Sequence, residues 1–346
     1  MIAHGLTRRE ALAGLAALGA DSLAATCARA DEETAQSIYE GAKKEGKVVF
    51  WSSNDVIANQ NSAARFAKKF PGIEVEPYKI EPGPAIERIL GESSAGRLTC
   101  DLVDSPISYT QLLFDRGLAI SYPWEKVFGV DRSSVLFDGR ALYTYNLDVP
   151  IAYNTGLAKA SDFKSWDDLL DPKWSGKILL EARGIVFPLL ALAWGEDKTY
   201  AYLQKLLANR PIIIKGGTPT IEALAGGQGA VAVGTYGGRV LQYQKDGAPV
   251  EWARVGPIPA MIYVQMALKG APHPDAAKLW NWWTTTPDHQ EELYKHHYFG
   301  RLTGPNISPL GKMMQDAHLQ VVIETTDSSE MQRLLVKAGA MIGGLK

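Results

Sequence analysis

The chain has 346 residues, 46% of them hydrophobic and 21% charged, enough apolar material for a large core and for two lobes. Its formal net charge is -2, so nothing in the charge balance points to nucleic acid or an anionic membrane as a partner.

Residues 1–30 carry the pattern of an export signal. Arg8 and Arg9 precede an Ala/Gly/Leu-rich run over 11–20, and Ala28-Arg29-Ala30 supplies a small-x-small cleavage pattern before Asp31. Paired arginines ahead of a mild apolar run look like a twin-arginine signal, and the run is too short to span a bilayer. Its removal takes three arginines and two acids, leaving a mature protein of net charge -3, expected in the periplasm. Cys27 lies in this leader, where a lipoprotein reading is open although Ala24-Ala25-Thr26 matches it poorly. Cys100 then stands alone, which excludes an internal disulfide in the mature chain and suits a core thiol.

In chain order, a helix is expected over 34–45 with Gly46 as its stop. Residues 48–51 (VVFW) read as a strand buried on both faces. Ser52, Ser53 and Asn54 follow it, directly before a helix over 56–70; they either cap that helix or present polar groups to a ligand. A strand over 73–78, a helix over 84–92 and a strand over 98–103 come next. Ser105 then reads as the N-cap of a helix running to Arg116, with Pro106 in its first turn. This alternation predicts an α/β fold with mixed, mostly parallel sheets flanked by helices.

From 142 to 153 the pattern alternates with β formers and no partner helix, as in a strand crossing between lobes. Ser165 and Asp168 form a capping-box-like helix start that Pro172 ends. A strand over 177–180 runs into Arg183, ahead of a helix over 185–194. The segment 218–239 is the richest. Thr218-Pro219 opens a short helix, Gly226-Gly227 stop it, 230–233 is a core strand, and 234–239 is a loop bearing Thr235, Tyr236 and Arg239. Gly227-x-Gly229-x-x-Ala232 matches the dinucleotide fingerprint as a string, but its helix precedes its strand, the reverse of what a pyrophosphate site requires. An αβ turn is the better reading. Residues 255–268 suit a return crossing, and helices are expected over 274–284 and 287–297. His289 and His296 share a face seven residues apart, too far for one metal without a middle ligand.

Several strings, in order, resemble the class II substrate-binding proteins of bacterial ABC importers, in the ferric-ion-binding-like branch. They are residues 39–49 (YEGAKKEGKVV), 151–155 (IAYNT), 166–177 (WDDLLDPKWSGK, the most specific) and 271–279 (APHPDAAKL). The resemblance covers nearly the whole mature chain. It implies two α/β lobes, 31–150 with 262–346 and 151–261, joined by two crossover strands and closing on a ligand by hinge motion. It also implies a membrane permease as partner, a monomeric binding protein, no cofactor and no catalysis. Iron-binding members use two adjacent tyrosines; here Tyr236 matches the first, Gly237 leaves space at the second, and the first loop lacks histidine. A small organic anion is therefore expected, held by Ser52, Ser53, Asn54, Ser105, Arg183, Thr218, Thr235, Tyr236 and Arg239. A ferric ion or ferric complex, with Tyr236 as its metal ligand, is the alternative. An exported enzyme on this fold would need a nucleophile elbow or zinc-ligand spacing that the chain does not carry.

Overall fold

The computed structural model describes residues 33–344 except Asp55 and Tyr298. The export signal expected over 1–30, its cleavage pattern and Cys27 lie outside the described residues. In chain order the first strands are β1 (Lys47–Ser52), β2 (Glu74–Lys79), β3 (Leu102–Pro106), β4 (Val135–Leu136) and β5 (Ala141–Asp148). Then come β6 (Ala152–Asn154), β7 (Ile178–Glu181), β8 (Ile212–Ile214), β9 (Val231–Val233), β10 (Val250–Trp252), β11 (Ile258–Ala267) and β12 (Val321–Ile323).

These strands form two sheets. The larger runs β2-β1-β3-β11-β5-β4 with β12 on β11, and the smaller runs β10-β6-β9-β7-β8. Among the described residues five strand pairings are parallel and five antiparallel, so the sheets are mixed in equal parts rather than mostly parallel. The antiparallel share comes from the strands that leave and re-enter each sheet. β11 runs against both β3 and β5, and β6 runs against β9 and β10.

Local chemistry sets the elements that flank the first sheet. Thr34 caps the Ala35–Glu45 helix by a reciprocal pair: Ser37 N–H donates to its Oγ1 and Thr34 N–H donates to Ser37 Oγ. Gly46 ends that helix in the left-handed region at φ 73°, and β1 starts at once. The helices Pro274–Trp283 and Val56–Lys69 bury Trp280, Trp283 and Phe66 together over β1, with ring centroids 5.0–5.3 Å apart. The Ser165–Asp168 capping box forms as expected, but the turn it opens, Trp166–Leu170, is 3₁₀ rather than α. Gly229 closes the αβ turn, where a Cβ would sit 2.6 Å from Leu179 Cγ, so this glycine serves packing rather than a phosphate.

The chain changes sheet between Asp148 and Ala152 and returns between Trp252 and Ile258. The lobe boundary that the resemblance implies at 261/262 falls inside β11, a single strand of the large sheet. A second difference is larger. The C-terminal helix Ser328–Gly343, assigned from sequence to the first lobe, buries Leu334, Ala338 and Ile342 in the core of the smaller sheet. Tyr200 OH donates to Leu334 O there at 2.6 Å. No helix among the described residues is long and apolar enough to cross a membrane.

Candidate ligand-binding cleft

A cavity of about 570 Å³ lies between the two sheets. Its floor is the pair of crossover strands, which alternate in and out with period two. Leu147 of β5 and Met261 and Tyr263 of β11 face the cavity, while Ile262 packs on the other side with the core under β3. Four helix starts converge on this floor: the loop before Val56–Lys69, and the helices Pro82–Ser94, Gly217–Ala225 and Gly237–Lys245. Helix N-termini carry unpaired N–H groups and a partial positive charge, so their convergence favours an anion.

Six of the nine residues expected at the site line this cavity: Ser53, Asn54, Arg183, Thr218, Tyr236 and Arg239. Thr218 sits one residue inside the Gly217–Ala225 helix rather than at its N-cap, and its side chain is exposed to the cleft. Arg239 lies in the first turn of the Gly237–Lys245 helix, half-buried, with its Nη1 donating to Gln242 and its guanidinium over the Phe299 ring.

The other three are buried structural groups. Ser52 Oγ donates to Asp104 Oδ2 at 3.1 Å. Ser105 is not an N-cap: it lies within β3, paired with Val264, and its Oγ donates to Pro106 O. The expected 105–116 helix is broken into a 3₁₀ turn (Ile107–Tyr109) and a short α-helix (Gln111–Asp115). Thr235 Oγ1 donates to Gly217 O at 3.1 Å, tying the β9 loop to the start of the Gly217–Ala225 helix.

Arg183 and Tyr236 form the strongest polar feature of the wall. Arg183 Nε donates to Oε1 of the buried Glu181 at 2.8 Å, and Gly216 N–H donates to the same oxygen at 3.3 Å. About half of the Arg183 side chain remains exposed, at 49%. Burial opposes the guanidinium charge, but Tyr236 and Glu181 more than offset it, and the pKa lies above the ordinary arginine value. For the Tyr236 phenol, burial dominates and raises the pKa despite Arg183 beside it. The hydroxyl is therefore protonated and able to donate.

Gly237 does not leave open space. A Cβ there would overlap Oδ2 of Asp148, a buried carboxylate at the end of β5 whose Oδ2 has no hydrogen-bond partner among the described residues. Burial pushes its pKa up to about 7. A tyrosine at 237 is thus blocked by the floor itself.

Other lining groups carried no local signal. Tyr263 stacks on Tyr145 with centroids 4.7 Å apart, and its hydroxyl lies 3.4 Å from Ser53 Oγ. Tyr145 OH donates to Asp104 Oδ2 at 3.1 Å, next to Ser52. Lys79, Glu81 and Glu324 add charges of both signs to the rim and wall, and Met331 and Leu335 come from the C-terminal helix. The alternation of residues 258–267 could have placed Tyr263 and Met261 on one face, but not which face is wet. His289 and His296 lie elsewhere, hydrogen-bonded near Thr284 and paired with Glu292 respectively. Cys100 is a buried core thiol with a raised pKa.

Residues 61–320 match the bacterial extracellular solute-binding protein family. The chain belongs to that family. A substrate-binding protein of an ABC transporter from Bradyrhizobium japonicum is similar, with TM-score 0.71 and 18% identity over 86% of this chain and 99% of that one. So is a periplasmic binding protein, AfuA, from Actinobacillus pleuropneumoniae, solved with fructose-6-phosphate bound (TM-score 0.66, 21% identity, 86% and 99% covered). A Trichodesmium protein solved with iron and citrate gives TM-score 0.67 at 17% identity, with 87% and 99% covered. These likenesses establish the two-lobed periplasmic binding protein fold. By sequence, iron uptake protein A1 of a Synechocystis strain is 29% identical over 100 residues, 27% of this chain. A Haemophilus influenzae protein is 30% identical over 141 residues, 38% of this chain. The matched stretches span 28% of the Synechocystis protein and 40% of the Haemophilus protein.

Proposed function

We propose that this family member is the exported, periplasmic solute-binding component of an ABC importer, capturing a small organic anion and delivering it to a membrane permease. The observation that carries the ligand class is Arg183: half-exposed, braced by buried Glu181, and set beside a protonated Tyr236 at the meeting point of helix N-termini. Such a site offers charge-assisted hydrogen bonds to a carboxylate, phosphonate or phosphate ester. Ser53, Asn54, Thr218 and Arg239 complete the polar wall. Lobes divided near 150 and 258 would close over the ligand as a monomer, the bound anion stabilising the closed state by contacts made from both sides. The role is binding rather than catalysis.

Ferric capture is the second reading. It is favoured by the Tyr236–Tyr263 pair on the cavity wall and by the iron-linked names of two similar proteins. The geometry at 237 weighs against bare iron, because the floor carboxylate excludes a second adjacent phenol.

A thermal-shift screen of the purified protein separates the two. Organic acids, phosphonates, sugar phosphates and ferric citrate are compared; a ligand at 100 times its Kd adds about 2.7 kcal/mol, a shift of a few degrees. A hit among metal-free anions that Arg183→Gln abolishes is expected. A shift with ferric species only would overturn the anion reading.

A further inference from the structure

The C-terminal segment carries a carboxyl into the cleft. Glu324 follows β12, is 5% exposed and lines the cavity. Its own N–H donates to Ala260 O at 2.9 Å, and Ile262 N–H donates to its Oε2 at 3.1 Å, which pins the side chain to β11 beside Ser108. No lysine, arginine or histidine pairs with it among the described residues. A buried carboxyl without a cation is costly, and burial pushes this one up to about 7. Nothing in the packing of β11 requires an acid there: an amide would accept from Ile262 N–H equally well.

Glu324 and Arg183 stand on opposite sides of the cleft. Arg183 follows β7 of the small sheet, whereas Glu324 is tied to β11 of the large sheet. Carbon surface completes the wall beside them: Pro188 and Leu189 from the Val186–Trp194 helix, and Met331 and Leu335 from the C-terminal helix packed on it. A ligand with only negative charge would face an uncompensated carboxyl, and a polyhydroxylated body would lose hydrogen bonds against that surface.

We propose that the ligand is a small zwitterion, its anionic group held by Arg183 and Tyr236 and its ammonium group by Glu324. A short carbon spacer lies against Leu189, Met331 and Leu335. This deepens the anion reading above and rests on it. Because the two charges are recognised from opposite lobes, the ligand itself bridges the closed state.

Two isosteric probe pairs test this by calorimetry: 2-aminoethylphosphonate against propylphosphonate, and β-alanine against butyrate. Each pair exchanges an ammonium for a methyl at the same length. The amino member of a pair is expected to bind at least about tenfold tighter, the worth of one charge-assisted contact. Glu324→Gln should erase that preference, weakening the amino member without weakening the methyl member. Equal binding of both members, or a preference that survives Glu324→Gln, overturns the zwitterion and leaves the anion reading standing. Binding of neither member of either pair overturns both. Should Glu324→Gln fail to fold, the wild-type comparison of isosteres decides alone.

Discussion

Gly237 and Asp148 define each other at the bottom of the cleft. The glycine admits a carboxylate that any side chain would displace, and the carboxylate excludes a second tyrosine. Gly237→Ala is therefore expected to destabilise the protein by about 1–3 kcal/mol through overpacking, and Asp148→Ala in the same chain should recover part of that loss. Additive melting temperatures in the double variant would show that the two positions do not touch. At the neighbouring residue, Tyr236→Phe removes a half-buried donor on the cleft wall and should weaken ligand binding by about 1–3 kcal/mol, measured by titration calorimetry with the screened ligand. Unchanged affinity would remove the phenol from the site. The sequence singles out Tyr236, Arg183 and Arg239, because hydroxyl and guanidinium groups after core strands are conspicuous. It could not show that Ser105 is buried within β3, since a serine before proline reads equally well as a helix cap.

At the scale of elements, the C-terminal helix separates two kinds of interaction. On its outer face Arg333 and Lys337 meet Glu196 at 2.5–2.6 Å, yet all three side chains are substantially exposed. Exposed pairs contribute little, so Arg333→Ala should cost less than about 1 kcal/mol. Leu334, 2% exposed in the core of the smaller sheet, should cost about 2–5 kcal/mol when truncated to alanine. Chemical denaturation of both variants checks the ranking, and a larger loss from Arg333→Ala would reverse the argument. Capping residues made most elements legible: Thr34, Gly46, Ser165 and Asp168 act where their chemistry predicts. The destination of the last helix was not legible. An amphipathic helix declares that it has an apolar face, not which sheet will cover it.

Across the whole molecule, Asp104, Asp148 and Glu324 are three buried carboxyls that burial pushes up to about 7 each, spread along the crossover strands and their neighbours. A carboxyl whose pKa rises on folding favours the fold below its unfolded pKa of about 4 and loses that contribution as pH climbs through its folded value. Asp148→Asn should therefore gain about 1–3 kcal/mol more stability at pH 8 than at pH 5, read from denaturation at both pH values. An equal effect at the two pH values would mean the carboxyl titrates normally. The sequence by itself determined the strand–helix alternation, the two crossings and the family strings, because those follow from local periodicity, turn chemistry and short-range order. Tertiary structure alone decided that Ser52, Ser105 and Thr235 are buried, that Asp148 fills the space beside Gly237, and that Tyr263, Glu324 and Met331 reach the cleft. Those outcomes depend on which surfaces meet when separate elements of the chain are packed together, and no local pattern records that.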